Sequence, residues 1–190
     1  MGYSLWLVPR TSQAAKIKHT MRLGRSPPFP PHVTLVSQYP DAAALLAALP
    51  SGQREIPVRF KSLEGGDERF RCVYVVVDSD SPSELETLRA HLRQKLGERP
   101  IPRVWHMSLY YTADVEERER LVERLRGEQL VREIGEGKDK SVSLVGLDDD
   151  VEGEQESELM DGFEGEEIWL VDCVWPIAEW EVLERVKLMR

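Results

Sequence analysis

Two short segments of the chain repeat one pattern, and this pattern limits the possible folds more than any other feature. The two segments are PHVTLV, over residues 31–36, and HMSLYY, over residues 106–111. In each, polar and apolar side chains alternate over the four residues that start at the histidine. Successive side chains of a β-strand point to opposite faces. Each segment therefore predicts a half-buried strand that carries a histidine and a hydroxyl group on its polar face.

The two predicted strands carry equivalent polar side chains at equivalent positions. His32 and Thr34 share one face of the first strand, and His106 and Ser108 share the matching face of the second. If the strands lie side by side, two imidazoles surround one small site, and each has a hydroxyl group two residues further along its own strand. From the residues alone, two interpretations stay open: two hydrogen-bonded histidines that pack in separate places, or one shared site that uses both copies.

Two imidazoles and two hydroxyl groups suit the hydrolysis of a phosphodiester without a metal ion. A neutral imidazole can take a proton from the attacking water, and an imidazolium can protonate the departing oxygen. The ordinary histidine pKa of ~6.5 allows both forms near neutral pH, and each proton transfer contributes about 10²–10⁴ in rate. The hydroxyl groups can bind the non-bridging phosphate oxygens. The roles stay open at this point, and our working hypothesis makes His106 the base and His32 the acid.

The remaining pattern predicts an α+β fold with antiparallel pairing. Alternating or continuous apolar runs predict strands, and leucine or alanine stripes that follow capping residues predict helices. The third helix is expected to begin with a capping box at Ser81, and a turn is expected at Gly65–Asp67. The predicted strands cover 3–9, 32–37, 56–64, 71–78, 105–111, 141–147, 168–175 and 180–188, and the predicted helices cover 11–23, 41–50, 82–96 and 114–127.

Chain length and net charge limit the number of domains and the kinds of ligand that we expect. The chain has 190 residues, 41% of them hydrophobic, which fits one domain over 1–190 with a sizeable core and no transmembrane segment. Residues 148–167 carry eleven acids and no Lys or Arg, so we predict an acidic, mobile loop there. Without these acids the formal charge of −9 becomes +2, which leaves room for an anionic ligand.

Cysteine is scarce, which favours a reducing compartment. Cys72 and Cys173 both lie in apolar runs, so we expect two free thiols and an intracellular, cytoplasmic protein, with association to an internal membrane surface left open. The spacing of histidines and cysteines matches no zinc site, and we expect neither a metal nor a cofactor.

The two repeated segments resemble the paired His-x-Thr/Ser signatures of the 2H phosphoesterase superfamily. YSLWLVP near the start, FRCVYVVV at 70–77 and AEWEVLERVKL near the end are similar to its plant and fungal cyclic phosphodiesterase branch, the 2',3'-cyclic-nucleotide 3'-phosphodiesterases. The resemblance implies a single bilobal domain. Its two pseudo-symmetric lobes of antiparallel sheet, with outer helices, surround a central cleft.

The resemblance also implies an activity and assigns residues to it. The activity is hydrolysis of ADP-ribose 1'',2''-cyclic phosphate to ADP-ribose 1''-phosphate and of nucleoside 2',3'-cyclic phosphates to 2'-phosphates, downstream of tRNA splicing. His32 and His106 are then catalytic, and Thr34, Ser108 and Tyr111 bind substrate. The expected partner is a small cyclic phosphate nucleotide bound by a monomer, with no stable nucleic-acid complex.

Two other functions fit the same motifs. One is a 2H-type enzyme that acts on RNA ends, either a 2'-5' ligase or a 3'-end exonuclease, for which a broad basic surface is expected. The other is a nucleotide-binding module without catalysis. The modest positive charge outside the acidic segment favours the small-molecule enzyme.

Overall fold

The computed structural model describes residues 2–21, 29–68, 71–79, 83–135, 140–146, 158–173 and 177–190. It confirms an α+β fold built on antiparallel sheet. In these ranges the helices are α1 (Thr11–Met21), α2 (Ala42–Ala47), α3 (Glu84–Leu96) and α4 (Val115–Gly127), with a short 3-10 helix at Ile177–Glu179. The strands are β1 (Tyr3–Pro9), β2 (Val33–Tyr39), β3 (Ile56–Glu68), β4 (Arg71–Val77), β5 (His106–Tyr110), β6 (Val131–Ile134), β7 (Ser141–Gly146), β8 (Glu158–Met160), β9 (Gly162–Asp172) and β10 (Glu181–Lys187).

The larger sheet closes on itself. Its seven strands follow the order β1-β2-β5-β4-β3-β9-β10, and β1 also pairs with β9. Six strands therefore form a ring, and β10 lies outside it on β9. A separate sheet has the order β6-β7-β8. The ring makes β2 and β5, the two motif strands, direct neighbours although they lie far apart in sequence.

One apolar core fills the space between the sheet and the helices. The inward side chains of the two motif strands, including Val33 and Met107, are fully buried. Helix α3 contributes the predicted leucine stripe through Leu85, Leu88 and Leu92, each at most 1% exposed. The apolar side of each motif strand thus holds it in the fold, which leaves its other face for polar side chains.

Helix starts follow the predicted capping chemistry with one shift. The Asp41 and Asp114 side chains accept hydrogen bonds from backbone N–H groups in the first turns of α2 and α4, as predicted. The prediction for α3 was wrong by two residues: Ser83 caps it and accepts from the Glu86 N–H at 3.2 Å. Ser83 has an extended backbone and lies three residues before its donor, the geometry that capping requires. Residues 80–82 lie outside the described ranges.

The Gly65–Asp67 turn was also predicted wrongly, since β3 continues through it to Glu68. Gly65 pairs with Val73 on β4. A side chain on Gly66 would collide with the carbonyl oxygen of Arg71 on the same neighbouring strand. Glycine is needed here for the close approach of two backbones, and not for a reversal of the chain.

The second half of the acidic segment is strand rather than mobile loop. Residues 147–157 lie outside the described ranges, but residues 158–167 form β8 and the beginning of β9. Met160 and Phe163 anchor this part, with side chains 5% and 3% exposed. Gly165 pairs with β1 and β3 at once and packs closely against Leu7. Two buried apolar residues and a glycine at a close contact outweigh the acidic composition.

Two further findings concern the chain as a whole. Within the described ranges, no helix is both long and apolar enough to cross a bilayer. Cys72 and Cys173 are both free thiols, as predicted, with Cys72 buried.

Candidate active site

The two motif strands meet through one described residue pair, Val33 opposite Met107. Because the pairing is antiparallel, this register places His32 across from Ser108 and Thr34 across from His106. All four polar side chains lie on the face opposite the buried pair. The structure therefore brings together the four motif residues that the sequence grouped into one site.

Each motif histidine is held by the backbone carbonyl two residues before it. The Nδ1 of His32 donates to the Pro30 carbonyl oxygen at 2.7 Å. The Nδ1 of His106 donates to the Val104 carbonyl oxygen at 3.1 Å. A carbonyl only accepts hydrogen bonds, so both rings carry a proton on Nδ1. Nε2 is then the atom through which each imidazole exchanges protons with a ligand.

His32 is the buried member of the pair, with only 3% of its surface exposed. Its ring stacks on Trp6, with centroids 3.8 Å apart and planes within 10°, and Phe29 meets it edge-on at 6.1 Å. Burial lowers the pKa of His32 to about 4, with a smaller contribution from His106, while the hydrogen bond to Pro30 opposes the shift. His32 is therefore neutral at neutral pH, the form that a base needs.

His106 has a different environment. It is half-buried, and its ring packs edge-on against Tyr74 at 5.2 Å. Tyr74 lies on β4 opposite Ser108, so β4 covers the second motif as Trp6 covers the first. The two histidines thus share one anchoring geometry but differ in burial, which is a physical basis for different roles.

Tyr111 lies directly beside the motif residues. Its side chain is hydrogen-bonded to that of Ser108, and burial raises the pKa of its phenol above the ordinary value of 10. Its ring stacks on Phe29 at 4.5 Å and meets Trp180 at 6.0 Å. Tyr111 therefore stays a neutral hydroxyl throughout the working pH range, which suits a hydrogen-bonding role and not a proton-transfer role.

Three aromatic residues around the site were missed by the sequence reasoning. Phe29 lies in the proline-rich stretch that leads into β2. Trp180 contacts both Trp6 and Tyr111 from just before β10. Tyr74 was read as part of a continuous apolar strand. Their shared signal was an aromatic ring in an irregular or apolar stretch, which does not separate a site from a core.

The other aromatic and histidine candidates lie in packing positions. Trp6 and Trp105 are 2% and 1% exposed, so neither ring is open for a base to stack on. His91 lies outside the two motifs, is half-buried, and has its Nε2 3.0 Å from the Ala48 carbonyl oxygen.

Comparison with known proteins gives a consistent family and fold. A model described as the 2'-5' RNA ligase superfamily matches residues 9–136. The fold is similar to Escherichia coli LigT in a structure with 3'-AMP, with a TM-score of 0.55, 14% identity, and 100% and 98% of the two chains covered. A second LigT structure, with NADP+, has a TM-score of 0.52 and 13% identity, and the match covers 100% of this chain and 98% of that chain. No curated protein matches the chain.

The site has the parts that acid–base chemistry on a phosphate requires. It has two imidazoles fixed in one tautomer, one of them neutral through burial. Beside them are two hydroxyl groups, Thr34 and Ser108, on the same face. Such a group can bind a compact anion and move one proton in and one proton out.

Proposed function

Because the chain belongs to the 2'-5' RNA ligase superfamily of 2H phosphoesterases, we propose that it hydrolyses cyclic phosphodiesters of small nucleotides, using two histidines and no metal ion. The observation that carries this proposal is the antiparallel register at Val33 and Met107, with a carbonyl-anchored histidine on either side of it. The substrates are ADP-ribose 1'',2''-cyclic phosphate and nucleoside 2',3'-cyclic phosphates, and the products are the 1''- and 2'-phosphates. The setting is the nucleotide metabolism that follows tRNA splicing.

Ligand size supports a nucleotide substrate. The two LigT structures are complexes with 3'-AMP and NADP+, one mononucleotide and one dinucleotide. The charge outside residues 148–167 is only +2, well short of the basic surface expected of an RNA enzyme. Both points favour a small ligand over a polynucleotide.

The reaction begins when water attacks the phosphorus atom. The Nε2 of one imidazole takes a proton from that water as the new P–O bond forms. The bond from phosphorus to the 3' oxygen of the nucleoside breaks, and the second imidazole protonates that oxygen through Nε2. The products are a 2'-phosphate and a free 3'-hydroxyl. Thr34, Ser108 and Tyr111 donate hydrogen bonds to the phosphate as its negative charge is redistributed.

The burial of His32 reverses our starting hypothesis for the two roles. A base must be deprotonated when substrate binds, and the low pKa of His32 keeps it neutral. We therefore assign His32 as the base and His106, the more exposed ring, as the acid. The negative charge of a bound phosphate favours the protonated form of a neighbouring imidazole, which suits His106 as the acid.

The family description supports one second candidate, a ligase that acts on RNA ends. Ligation is the same ring opening with a different nucleophile: an RNA 5'-hydroxyl takes the place of water, a 2'-5' phosphodiester forms, and the bond from phosphorus to the 3' oxygen breaks as that oxygen is protonated. The same two histidines and hydroxyls would serve it. The candidates therefore differ in the nucleophile that the site admits, and only an assay with both nucleophiles separates them.

The test is hydrolysis of 2',3'-cyclic AMP in the presence of EDTA, with 2'-AMP as the product. We expect turnover by the wild-type protein and a loss of about 10²-fold or more in both His32→Ala and His106→Ala, since each removes one proton transfer. His91→Ala is the matched control, because that histidine also binds a backbone carbonyl but lies outside the motifs. Circular dichroism verifies that each variant is folded.

Three results would argue against the proposal. A requirement for added metal would contradict the two-histidine mechanism. A joined product from RNA fragments with cyclic phosphate and 5'-hydroxyl ends, with no hydrolysis of cyclic mononucleotides, would favour the ligase. Binding of nucleotides without turnover of 2',3'-cyclic AMP or ADP-ribose 1'',2''-cyclic phosphate would favour a binding module.

A further inference from the structure

Three side chains interlock immediately before the second motif. The Glu86 Oε1 accepts hydrogen bonds from the Trp105 indole N–H at 2.7 Å and from Arg89 Nη1 at 3.1 Å. The guanidinium carbon of Arg89 lies 4.9 Å from the centroid of the Trp105 ring. Glu86 and Arg89 lie one turn apart on α3, so the helix presents both groups to the same tryptophan. We name this set the α3 clamp.

Arg89 also binds the backbone that leads to the motif. Its Nη2 donates to the carbonyl oxygens of Pro102 at 2.7 Å and Arg103 at 2.5 Å. Arg89 is only 7% exposed, and burial of a charge on this scale is costly unless hydrogen bonds compensate for it. Its Nη1 and Nη2 make these bonds, whereas its buried Nε has no hydrogen-bond partner among the described residues. A planar guanidinium can bond to carbonyls and a carboxylate and lie on a ring at the same time, which no other side chain does.

The α3 clamp holds the residues on both sides of Val104, whose carbonyl group binds His106. It fixes the carbonyl of Arg103 on one side of Val104 and the indole of Trp105 on the other. The Val104 side chain is 41% exposed, so its own packing holds it only weakly. Its carbonyl nevertheless accepts the Nδ1 proton of His106 at 3.1 Å. The position of that carbonyl therefore depends on its two clamped neighbours.

We propose that Glu86, Arg89 and Trp105 are positioning residues for His106: they hold the Val104 carbonyl that fixes the tautomer and orientation of its ring. This inference rests on the proposed function insofar as His106 does chemistry. The clamp touches no substrate and acts only through the backbone of residues 102–105.

The first motif achieves the same result differently. The carbonyl that anchors His32 belongs to Pro30, and Pro31 follows it, so ring closure restricts the backbone there. Trp6 then stacks on the His32 ring itself. The segment 102–105 has a proline at its start only, and the Tyr74 ring meets His106 edge-on and not face to face. Arg89 restricts the backbone before His106, as two prolines and the stacked Trp6 ring restrict His32 and the backbone before it.

The test is Arg89→Met, which keeps an unbranched apolar stem but removes the guanidinium and all its hydrogen bonds. We expect kcat for 2',3'-cyclic AMP to fall about ten- to hundredfold, as misplacement of a catalytic group by ~1 Å does, with KM changed less than about twofold. Nitrogen-15 NMR of labelled histidine should show His106 shifting from the Nδ1–H tautomer to a mixture. His32 should keep its tautomer.

Two comparisons separate positioning from general stability. Arg93→Met makes the same change one turn further along α3, at a half-buried arginine with no described hydrogen bond to 102–105, and should alter neither kcat nor the His106 signals. Glu86→Gln keeps an oxygen that accepts from Trp105 and Arg89, so it should retain most activity. Glu86→Ala should lose it.

A folded Arg89→Met protein with wild-type kcat and an unchanged His106 tautomer would overturn the inference. If Arg89→Met does not fold, Trp105→Phe carries the same two readouts, because it removes the indole N–H with one of the two fused rings and keeps one aromatic ring near the guanidinium. The NMR readout needs no turnover. A wild-type protein without phosphodiesterase activity would defeat the proposed function and leave the clamp to be judged by the His106 signals alone.

Discussion

At the scale of single residues, His32 links burial to acid sensitivity. The folded protein holds its pKa at about 4, whereas an unfolded chain has a value of about 6.5. Between those values the unfolded state binds the extra proton and the folded state does not. Stability from this group is therefore complete above about pH 6.5 and declines as the pH falls towards 4, by at most about 1.4 kcal/mol per pH unit and about 3 kcal/mol in all.

This predicts a specific difference between the wild-type protein and His32→Asn. The asparagine amide can still donate to the Pro30 carbonyl but does not titrate. Urea unfolding measured across this pH range should show a shallower loss of stability in the variant, and the difference between the two curves should be confined to the region between about pH 4 and 6.5. Parallel curves would mean that His32 titrates normally and would remove our reason for naming it the base.

At the scale of elements, the sequence was most informative where side-chain period and local capping decide the structure. Period-two alternation located β2 and β5, and the caps Asp41 and Asp114 located two helices. The sequence was a poor guide where contacts between residues far apart in the chain decide the structure. Only one residue of β6, Val131, is buried, so that strand has no alternation to detect. The strand at 158–167 depends on partners far along the chain.

The same contrast applies to the candidate site. The four motif residues follow from strand alternation alone, because side chains two residues apart share a face. The α3 clamp does not, since Glu86 and Arg89 on a helix meet Trp105 only after the chain has folded. Exposed or irregular segments such as 102–105 carry no period from which their anchors could be inferred.

The contact between the two motif strands gives an element-scale prediction. Val33 and Met107 are both fully buried and form the described pairing of β2 with β5. Met107→Ala should cost about 2–5 kcal/mol of stability and should also lower the activity of the folded fraction, because the strands that carry the two histidines lose their contact. Met107→Leu conserves volume and should cost less than about 1.5 kcal/mol.

Leu144→Ala is the control for that experiment. Leu144 is equally buried but lies on β7 in the smaller sheet, away from the motif strands. It should lose comparable stability while the folded protein keeps wild-type kcat. Denaturant unfolding and steady-state kinetics on the same samples make the comparison. Equal losses of activity per folded molecule in both alanine variants would mean that the β2–β5 contact has no special role.

At the scale of the whole molecule, the paired strands of the larger sheet place a row of residues beside the candidate site. Thr34 pairs with Trp6, Trp6 with Trp169, and Trp169 with Arg185, so these residues form one row from β2 to β10. Arg185 is exposed, and its guanidinium lies 4.3 Å from the centroid of Trp169. At ~4.8 Å per strand, Arg185 begins roughly 14 Å from Thr34. A positive group thus lies beyond the reach of a cyclic mononucleotide but within reach of a longer one.

This row predicts that Arg185 distinguishes the two proposed substrates. ADP-ribose 1'',2''-cyclic phosphate carries a diphosphate beyond the reacting ribose, whereas a nucleoside 2',3'-cyclic phosphate has no second anion. An exposed ion pair is worth about 0.2–1 kcal/mol, so Arg185→Gln should raise KM for the ADP-ribose substrate by up to about fivefold. KM for 2',3'-cyclic AMP and kcat for both substrates should stay unchanged.

Arg124→Gln, at an exposed arginine on the outer helix α4, is the control and should change KM and kcat for neither substrate. An equal rise in KM for both substrates would indicate that Arg185 acts on the reacting phosphate. No rise for either substrate would mean that Arg185 does not contact substrate.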